Sequence, residues 1–174
     1  GAQWHMLPQC YPNYKTVHRR FQRWCERDVL REVLCALANE LREQGGLGLA
    51  CTDLLSPQGL LRGTARSLDL AATNDADSPV CMQLYGGDPY YVAEAVKRLV
   101  GEGRVDHIDM NFGCPVRKVT RRGGGAAIPL RPRLLANIVR AAVTSSGDVP
   151  VTIKFRMGID DEHLTYVESG RIAE

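Results

Sequence analysis

The stretch DHIDMNFGCPVRKVTRRGGGAAI, residues 106–128, decides how the whole chain is interpreted. Its first residues are apolar or alternate with polar ones as far as Met110, which predicts a buried strand. Cys114 follows within the run Asn111-Phe112-Gly113-Cys114-Pro115, so a single cysteine lies at the carboxyl end of that strand. In α/β barrels the loops that leave these strand ends line one shared mouth, where catalysis takes place. The position of Cys114 therefore predicts a functional role.

A basic, glycine-rich loop follows the cysteine. It contains Arg117, Lys118, Arg121 and Arg122, and three glycines come directly after them at residues 123–125. Glycines let backbone amides approach a ligand closely, and positive charge beside such amides suits phosphate. The alternative is a solvated basic loop before a flexible turn, which fits the composition equally well.

These residues resemble the tRNA-dihydrouridine synthases, flavoproteins that reduce particular uridines of tRNA. The family's hallmark is an Asn-x-Gly-Cys-Pro run followed by a lysine and a small, glycine-rich stretch, and residues 111–127 reproduce it. The resemblance includes MQLYG at residues 82–86 and TIKFRMG at residues 152–158, and it extends over about residues 47–174. It implies an FMN-dependent TIM barrel that uses NADPH as reductant and tRNA as substrate.

The resemblance also implies a role for individual residues. Cys114 acts as general acid and protonates C5 of the uracil ring, while reduced FMN delivers hydride to C6. Gln83 and Lys154 bind the cofactor. Asn111 can hydrogen-bond the uracil edge, and tRNA phosphates are expected to be neutralised by basic residues, namely Arg117, Lys118, Arg121, Arg122 and Arg156.

The residues taken by themselves leave alternatives open. Cys114 could be an inert thiol packed behind its loop, since free cysteine is often buried. Asn111 could bond its own backbone, and Gln83 could be a structural residue at a strand end. His107 is expected to be a packed or edge histidine. Lys154 interrupts the apolar run at residues 149–155, so we expect a buried lysine that needs a partner.

Length and composition limit the possible protein classes. A chain of 174 residues suffices for one domain with a core, but an eight-stranded barrel needs about 250 residues. The formal net charge of +2 does not by itself indicate nucleic acid. The six cysteines are scattered without a C-x-x-C pair, so we expect neither a metal site nor a disulfide framework. A reducing cytoplasm fits this pattern best.

The sequence does not indicate a membrane protein. No apolar run approaches the roughly 20 residues that span a bilayer, and the first residues lack the pattern of a signal peptide. The chain does not start with methionine, so we expect it to begin within a longer sequence.

Residues 1–46 form a segment of different character. Apolar residues recur at helical spacing, as at Val17, Phe21 and Trp24, and predict two helices. Residues 14–27 are basic beside aromatic side chains, a combination that can bind a nucleic-acid backbone. A solvated amphipathic helix is the alternative. The segment resembles the DNA-binding part of insertion-sequence transposases, through Trp4, Leu7-Pro8 and residues 14–24, so we interpret it as an inserted or artefactually fused piece.

Residues 47–174 alternate between strands and helices. The predicted strands are 47–52, 80–85, 105–110 and 149–156, and the predicted helices are 57–70, 89–100, 131–143 and 163–174. This order demands parallel strands with right-handed crossovers. The fold class is therefore α/β, a partial (β/α)8 barrel preceded by a short helical segment, and by comparison with the family it holds strands two to five.

Four strands cannot close a barrel. The family's first strand, beneath the flavin, and its last three, which hold the flavin phosphate, are expected to be missing, so flavin retention should be weak. Open sheet edges should favour association into oligomers. Two other functions stay open: a different FMN-dependent barrel reductase of a small molecule, and a DNA-binding module led by residues 1–45.

Overall fold

The computed structural model describes residues 10, 12–44, 49, 51–73, 78–121 and 123–174. The predicted phosphate ligand Arg122 and residues 47, 48 and 50 of the predicted strand 47–52 lie outside these residues. The chain divides into two compact units, Gly1–Gly48 and Leu49–Glu174.

The first unit consists of two helices, α1 (Tyr14–Glu26) and α2 (Val29–Glu43). Asn13 caps α1, because its side chain accepts a hydrogen bond from the Lys15 amide at 3.0 Å. None of the residues of α1 is buried. Both helices instead leave large apolar side chains exposed, among them Phe21, Trp24, Leu34, Leu37 and Leu41.

The second unit is built on a parallel sheet of three strands in the order β1 (Cys81–Leu84), β2 (His107–Phe112) and β3 (Val151–Phe155). Helices precede, connect and follow the strands, as the sequence predicts for an α/β fold. They are α3 (Pro57–Leu61), α4 (Ala65–Leu70), α5 (Pro89–Gly101), α6 (Arg117–Thr120), α7 (Pro132–Ser146) and α8 (Tyr166–Ala173), with a 3₁₀ turn at Gly125–Ala127. The arrangement is consistent with part of a barrel.

The two faces of the sheet differ in chemistry because successive strand residues point to opposite sides. One face is apolar and packs against α5 and α7, with Met82, Leu84, Ile108, Met110 and Phe112 fully buried. The opposite face, called the polar face below, carries the side chains that alternate with these, namely Cys81, Gln83, His107, Asp109, Asn111, Thr152 and Lys154. The core therefore lies on the helix side of the sheet.

Residues 51–55 run beside β1 without forming a regular strand. They make two isolated parallel bridges, Cys51 with Cys81 and Leu55 with Leu84, so the four-residue step on this segment matches a three-residue step on β1. The hydroxyl of Thr52 accepts a hydrogen bond from the backbone amide of Gln83 at 3.2 Å. An extra residue of this kind is typical of a bulge. It explains why residues 51–55 form no regular strand beside β1; of these, only residues 51 and 52 belong to the predicted strand 47–52.

Two further element boundaries differ from the prediction. The helix predicted over residues 57–70 is two helices, because the chain turns at Gly63 (φ +65°) and Thr64 caps α4 by accepting from the Ser67 amide. Strand β2 continues past Met110 to Phe112, so Asn111 lies on the strand and not on the following loop. Within the described part of the chain, no helix is long and apolar enough to cross a bilayer.

Candidate active site

The polar face brings together three residues that the sequence analysis singled out. Gln83 lies on β1, Asn111 on β2 and Lys154 on β3, and Asn111 is the register partner of Lys154. Parallel pairing alone places these side chains on one side of the sheet near the carboxyl ends of the strands. Predicted site residues that are far apart in the sequence therefore meet at one edge.

A row of hydrogen bonds connects the side chains of this face. The Gly113 amide donates to Oδ1 of Asn111 at 3.0 Å, and Nδ2 of Asn111 donates to Oε1 of Gln83 at 2.9 Å. Nε2 of Gln83 then donates to Oδ2 of Asp109 at 2.6 Å. Asn111 is only 5% exposed and Asp109 only 7%. The row thus ends on a buried carboxylate.

A second arm reaches the same carboxylate from β3. The hydroxyl of Thr152 donates to Oδ1 of Asp109 at 2.8 Å. Its single hydrogen is then used, so it must accept from Nε2 of His107, which lies 2.9 Å away. His107 therefore carries a hydrogen on Nε2. Both carboxylate oxygens of Asp109 are hydrogen-bonded.

Asp109 and Thr152 were not predicted as site residues. Asp109 lies in the middle of a strand that the sequence analysis treated as buried. The available signal was the two-residue spacing between Asp109 and Asn111, which places both on one face of β2. An acidic side chain is therefore expected beside the predicted ligand Asn111 on the same face of the strand.

The backbone around Cys114 is held on two sides. The Cys114 carbonyl accepts from the Ala126 amide at 3.0 Å, and the Gly113 carbonyl accepts from Nε of Arg156 at 2.6 Å. Gly125 has a φ of +54°, and a Cβ added there would meet the carbonyl oxygen of Cys114. The Cys114 side chain is half-buried at the tip of β2. Its surroundings are thus ordered by loop residues from two directions.

Lys154 is exposed, so the expectation of a buried lysine is wrong. The reason is that β3 is an edge strand of the sheet. It pairs only with β2, and no other described strand lies beside Lys154. A Cβ added at Gly113 would lie 3.7 Å from Nζ of Lys154, so the ammonium group lies beside the residue that precedes Cys114. The structure gives Lys154 no ion pair with any residue that it describes.

The basic loop is exposed. Arg117 and Lys118 belong to the short helix α6, Arg121 follows them, and all three are solvent-exposed. None of them forms an ion pair with a described residue. Arg156 points instead to the cysteine loop through its bond to Gly113. The loop's charges therefore stay open to a ligand.

Two cysteines are in contact at the end of the polar face where β1 begins. Sγ of Cys51 lies 2.7 Å from Sγ of Cys81, and Cys81 is buried. Burial raises the pKa of the Cys81 thiol, and the hydrogen bond with Cys51 raises it further. The scattered positions of the cysteines in the sequence did not predict this contact. Among the described residues, no group of three or more His, Cys, Asp or Glu side chains is arranged to hold a metal ion.

Two family models match the sequence. One, described as "Dihydrouridine synthase", matches residues 21–174, and the other, described as "Putative transposase of IS4/5 family", matches residues 1–34. Both resemblances stated from the sequence are confirmed, and residues 21–34 lie within both matches.

Curated proteins with related sequences carry the same family name. A "Probable tRNA-dihydrouridine synthase" of Mycobacterium tuberculosis (strain CDC 1551 / Oshkosh) is 43% identical over 149 residues, 84% of this chain and 38% of that protein. One of Mycobacterium leprae (strain TN) is 48% identical over 129 residues, 73% of this chain and 34% of that protein. A "tRNA-dihydrouridine synthase B" of Shewanella oneidensis is 34% identical over 129 residues, 74% of this chain and 39% of that protein. The chain therefore spans less than two fifths of the length of these relatives.

Proposed function

Because the chain belongs to the dihydrouridine synthase family, we propose that it carries part of the site at which uridine in tRNA is reduced to 5,6-dihydrouridine. One observation carries this proposal above the others. Cys114 is half-buried at the tip of β2, its carbonyl accepts from the Ala126 amide and lies close to Gly125, and Asn111 of the polar face lies three residues before it and accepts from the Gly113 amide. A proton donor and a set of amide groups thus share one strand end.

We propose that Cys114 is the general acid. A thiol at this position can give its proton to C5 of a uracil ring, as the family resemblance implies. Asn111 has one amide hydrogen and one carbonyl lone pair beyond its bonds to Gln83 and Gly113, and these suit a uracil edge. The base has to leave its stack to reach such a site.

The polar face suits the pyrimidine edge of a flavin. The family is generally flavin-dependent, and FMN bound here would, in its reduced form, supply hydride to C6 of the uracil. NADPH is the proposed reductant of the FMN. Gln83 offers an amide that can both donate and accept. The exposed ammonium of Lys154 lies beside Gly113 and favours a ring that gains negative charge on reduction. We therefore assign Gln83 and Lys154 to the cofactor.

The exposed basic loop supports tRNA as the substrate. Arg117, Lys118 and Arg121 are solvent-exposed and form no ion pair with a described residue, so they can neutralise phosphates at little cost. We include Arg122, which lies outside the described residues, on sequence grounds alone. Arg156 is bonded to the Gly113 carbonyl, so it acts on the cysteine loop as well as on any ligand near it. A tRNA substrate implies a cytoplasmic location.

The proposed division of the chain gives each part its own role. Residues 47–174 form an incomplete flavin-binding barrel, which we assign to strands two to five of the family fold, and residues 1–46 form the transposase-like segment. The outer edge of β3 is unpaired among the described strands and permits association with a second chain.

The first experiment is the visible absorption spectrum of the purified chain after addition of FMN and desalting. A stoichiometric flavin band is expected if the site is formed, and colourless protein would contradict cofactor binding by this chain. Turnover is then measured with NADPH and unmodified tRNA.

The role of Cys114 is tested by the change Cys114→Ala in this chain and in a whole relative. Turnover should fall by about 100-fold or more, the usual contribution of a general acid, while the flavin band persists. Cys10→Ala is the matched control, because Cys10 is an exposed thiol outside the sheet. Loss of the flavin together with turnover would show that Cys114 is structural.

A different FMN-dependent reductase of a small molecule is the first alternative. It shares the polar face but needs no basic loop. Salt-sensitive binding of tRNA that weakens when Arg117 and Lys118 are changed to Ala favours the tRNA enzyme, whereas absence of such binding favours the alternative.

A DNA-binding role for residues 14–27 is the second candidate function. The match of residues 1–34 to a transposase family and the exposed cations of α1, including Arg19, Arg20 and Arg23, favour it. Duplex DNA should then bind more tightly than tRNA, and the preference should be lost in the triple change of these arginines to Ala.

A further inference from the structure

We propose that Asp109 is the positioning residue of the site, which sets the orientation of the Gln83 and Asn111 amides and through them the backbone that precedes Cys114. The inference rests on the proposed function for its biological meaning, since Gln83 and Asn111 are the residues assigned to cofactor and uracil. Its structural content rests only on the hydrogen bonds of the polar face.

The row of hydrogen bonds has a single direction. It starts at the Gly113 amide, which can only donate, and ends at the Asp109 carboxylate, which in its ionised form can only accept. The two amides between them can each be oriented in two ways. With both ends fixed, only one orientation of Gln83 and of Asn111 satisfies every bond.

The opposite orientation is costly because like groups would then face each other. A flipped Gln83 would place its carbonyl against the Asp109 carboxylate and its NH₂ group against the NH₂ group of Asn111. Bonds to a charged acceptor are the stronger ones, and both Asp109 and Asn111 are almost fully buried. Asp109 therefore acts as the anchor that makes the row directional.

The second arm keeps the anchor in place. Thr152 donates to the other oxygen of Asp109 and itself accepts from His107. Two strands thus hold the carboxylate, while no positive side chain within the described residues forms an ion pair with it. A carboxylate with these partners accepts from the Gln83 amide without competition from a nearby cation.

The consequence for a ligand is a fixed hydrogen-bonding pattern. Each amide uses one N–H and one carbonyl lone pair within the row, and each keeps a second N–H and a second lone pair. Because Asp109 fixes where the carbonyl and the NH₂ of Gln83 lie, a pyrimidine edge meets the same pattern in every molecule. Asp109 itself is a positioning residue and not a catalytic one.

The test is the change Asp109→Asn. It keeps the size of the side chain but replaces a group that only accepts hydrogen bonds with one that also donates them. The new amide can donate as well as accept, so a flipped Gln83 no longer faces a carboxylate and only the penalty at Asn111 remains. The measurement is ¹H–¹⁵N NMR of the labelled, ligand-free chain. Its Gln83 side-chain amide is assigned by its loss in Gln83→Leu.

In the unchanged chain, the side-chain N–H of Gln83 that donates to Asp109 should exchange its hydrogen slowly with water. In Asp109→Asn its exchange should accelerate by about tenfold or more, as expected for loss of a bond to a charged group, and the Gly113 amide resonance should shift. Asp148→Asn removes the same charge from an exposed position in the turn after α7 and should change neither signal. Thr152→Val interrupts only the second arm and should leave the Gln83 signal in place.

Three outcomes would overturn the proposal. They are unchanged Gln83 and Gly113 signals in a folded Asp109→Asn chain, changes spread evenly over the apolar core, and a comparable change in Asp148→Asn. If Asp109→Asn does not fold, Gln83→Leu decides, because it cuts the row with Asp109 intact. The Asn111 amide should then exchange faster and the Gly113 signal should shift, and their constancy would contradict the inference.

Titration with FMN separates this inference from the proposed function. If the unchanged chain binds FMN, Asp109→Asn should weaken binding while Asp148→Asn does not, and equal affinity of all three chains would overturn the positioning role. If the unchanged chain binds no FMN, the cofactor assignment fails, and the NMR signals still decide whether Asp109 orients the amides.

Discussion

Gly125 lies against Cys114 in a backbone conformation that suits few other residues. Its φ is +54°, and an added Cβ would meet the Cys114 carbonyl oxygen and come within 3.2 Å of the Cys114 Cβ. We expect Gly125→Ala to lower the free energy of unfolding by about 1–3 kcal/mol, through backbone strain and displacement of the cysteine loop. Urea denaturation measures this change.

Gly170→Ala is the matched control for that prediction. Gly170 lies within α8, and a Cβ added there has no atom within 4 Å. Alanine favours a helix over glycine, so this variant should be more stable by up to about 1 kcal/mol. If the two variants change stability alike, the strain assigned to Gly125 is wrong.

Cys81 makes the stability of the sheet depend on pH. Burial and the contact with Cys51 raise the pKa of its thiol above the ordinary 9.0. The unfolded chain therefore loses this proton at a lower pH than the folded chain, so the contribution is fully present below pH 9.0 and is lost as pH rises above it. Stability should fall by about 1.4 kcal/mol per pH unit in that range from this group.

Cys81→Ala tests the assignment. Free energies of unfolding are measured by urea denaturation at pH 8 and pH 10 under reducing conditions, and the variant should lose less stability between them than the unchanged chain. The cavity left by the sulfur lowers stability equally at both pH values, so it cancels in this comparison. Parallel pH dependence of the two proteins would contradict the prediction.

The sequence indicated some residues of the candidate site and not others, and the reason is local. Cys114, Asn111 and Gln83 lie within the motifs that resemble the family. Gln83 and Asn111 lie on β1 and β2, and Cys114 follows the end of β2. Asp109 had no such motif, because its role depends on pairing with β1 and β3. Lys154 was expected to be buried from its apolar neighbours, but burial of a strand residue depends on what covers its face.

At the level of elements, α5 depends on its first turn. Asp88 accepts from the Tyr90 amide at 2.9 Å, and Pro89 is the first helical residue. We expect Asp88→Ala to cost about 1 kcal/mol of stability, since α5 packs its buried face on the sheet. Thermal and urea denaturation measure the loss. Asp161→Ala removes an equal charge from an exposed loop and should change stability little.

Element boundaries were predictable where a single residue controls them. Asp88 and Ser56 cap α5 and α3, which begin at residues 89 and 57 as the predicted helices do, and the other predicted strands correspond to β1, β2 and β3. The turn at Gly63 and the bulge near Thr52 were missed. The bulge depends on contacts between residues that are distant in the sequence, such as the hydrogen bond between Thr52 and Gln83. The turn is local and depends on the positive φ of Gly63 and on the cap at Thr64.

For the whole molecule, the core belongs to one part of the chain. Every residue of the main apolar cluster lies between Leu55 and Ile172. We expect a chain of residues 49–174 to unfold cooperatively, with a free energy within about 0.5 kcal/mol of the value for the same transition in the full chain. Urea denaturation followed by circular dichroism compares the two. A non-cooperative transition in the shorter chain would show that residues 1–48 are needed for the fold.

The extra residue between Cys51 and Leu55 has a consequence for how this segment tolerates insertions and deletions. In a regular strand, two side chains four positions apart point to the same face. The extra residue instead lets Cys51 contact Cys81 on the polar face while Leu55 is buried in the apolar core. Deleting one residue here would leave a separation of three positions, the step that β1 itself makes, and would keep the two side chains on opposite faces. The segment should therefore tolerate the loss of one residue better than the loss of two, which would bring both side chains to one face.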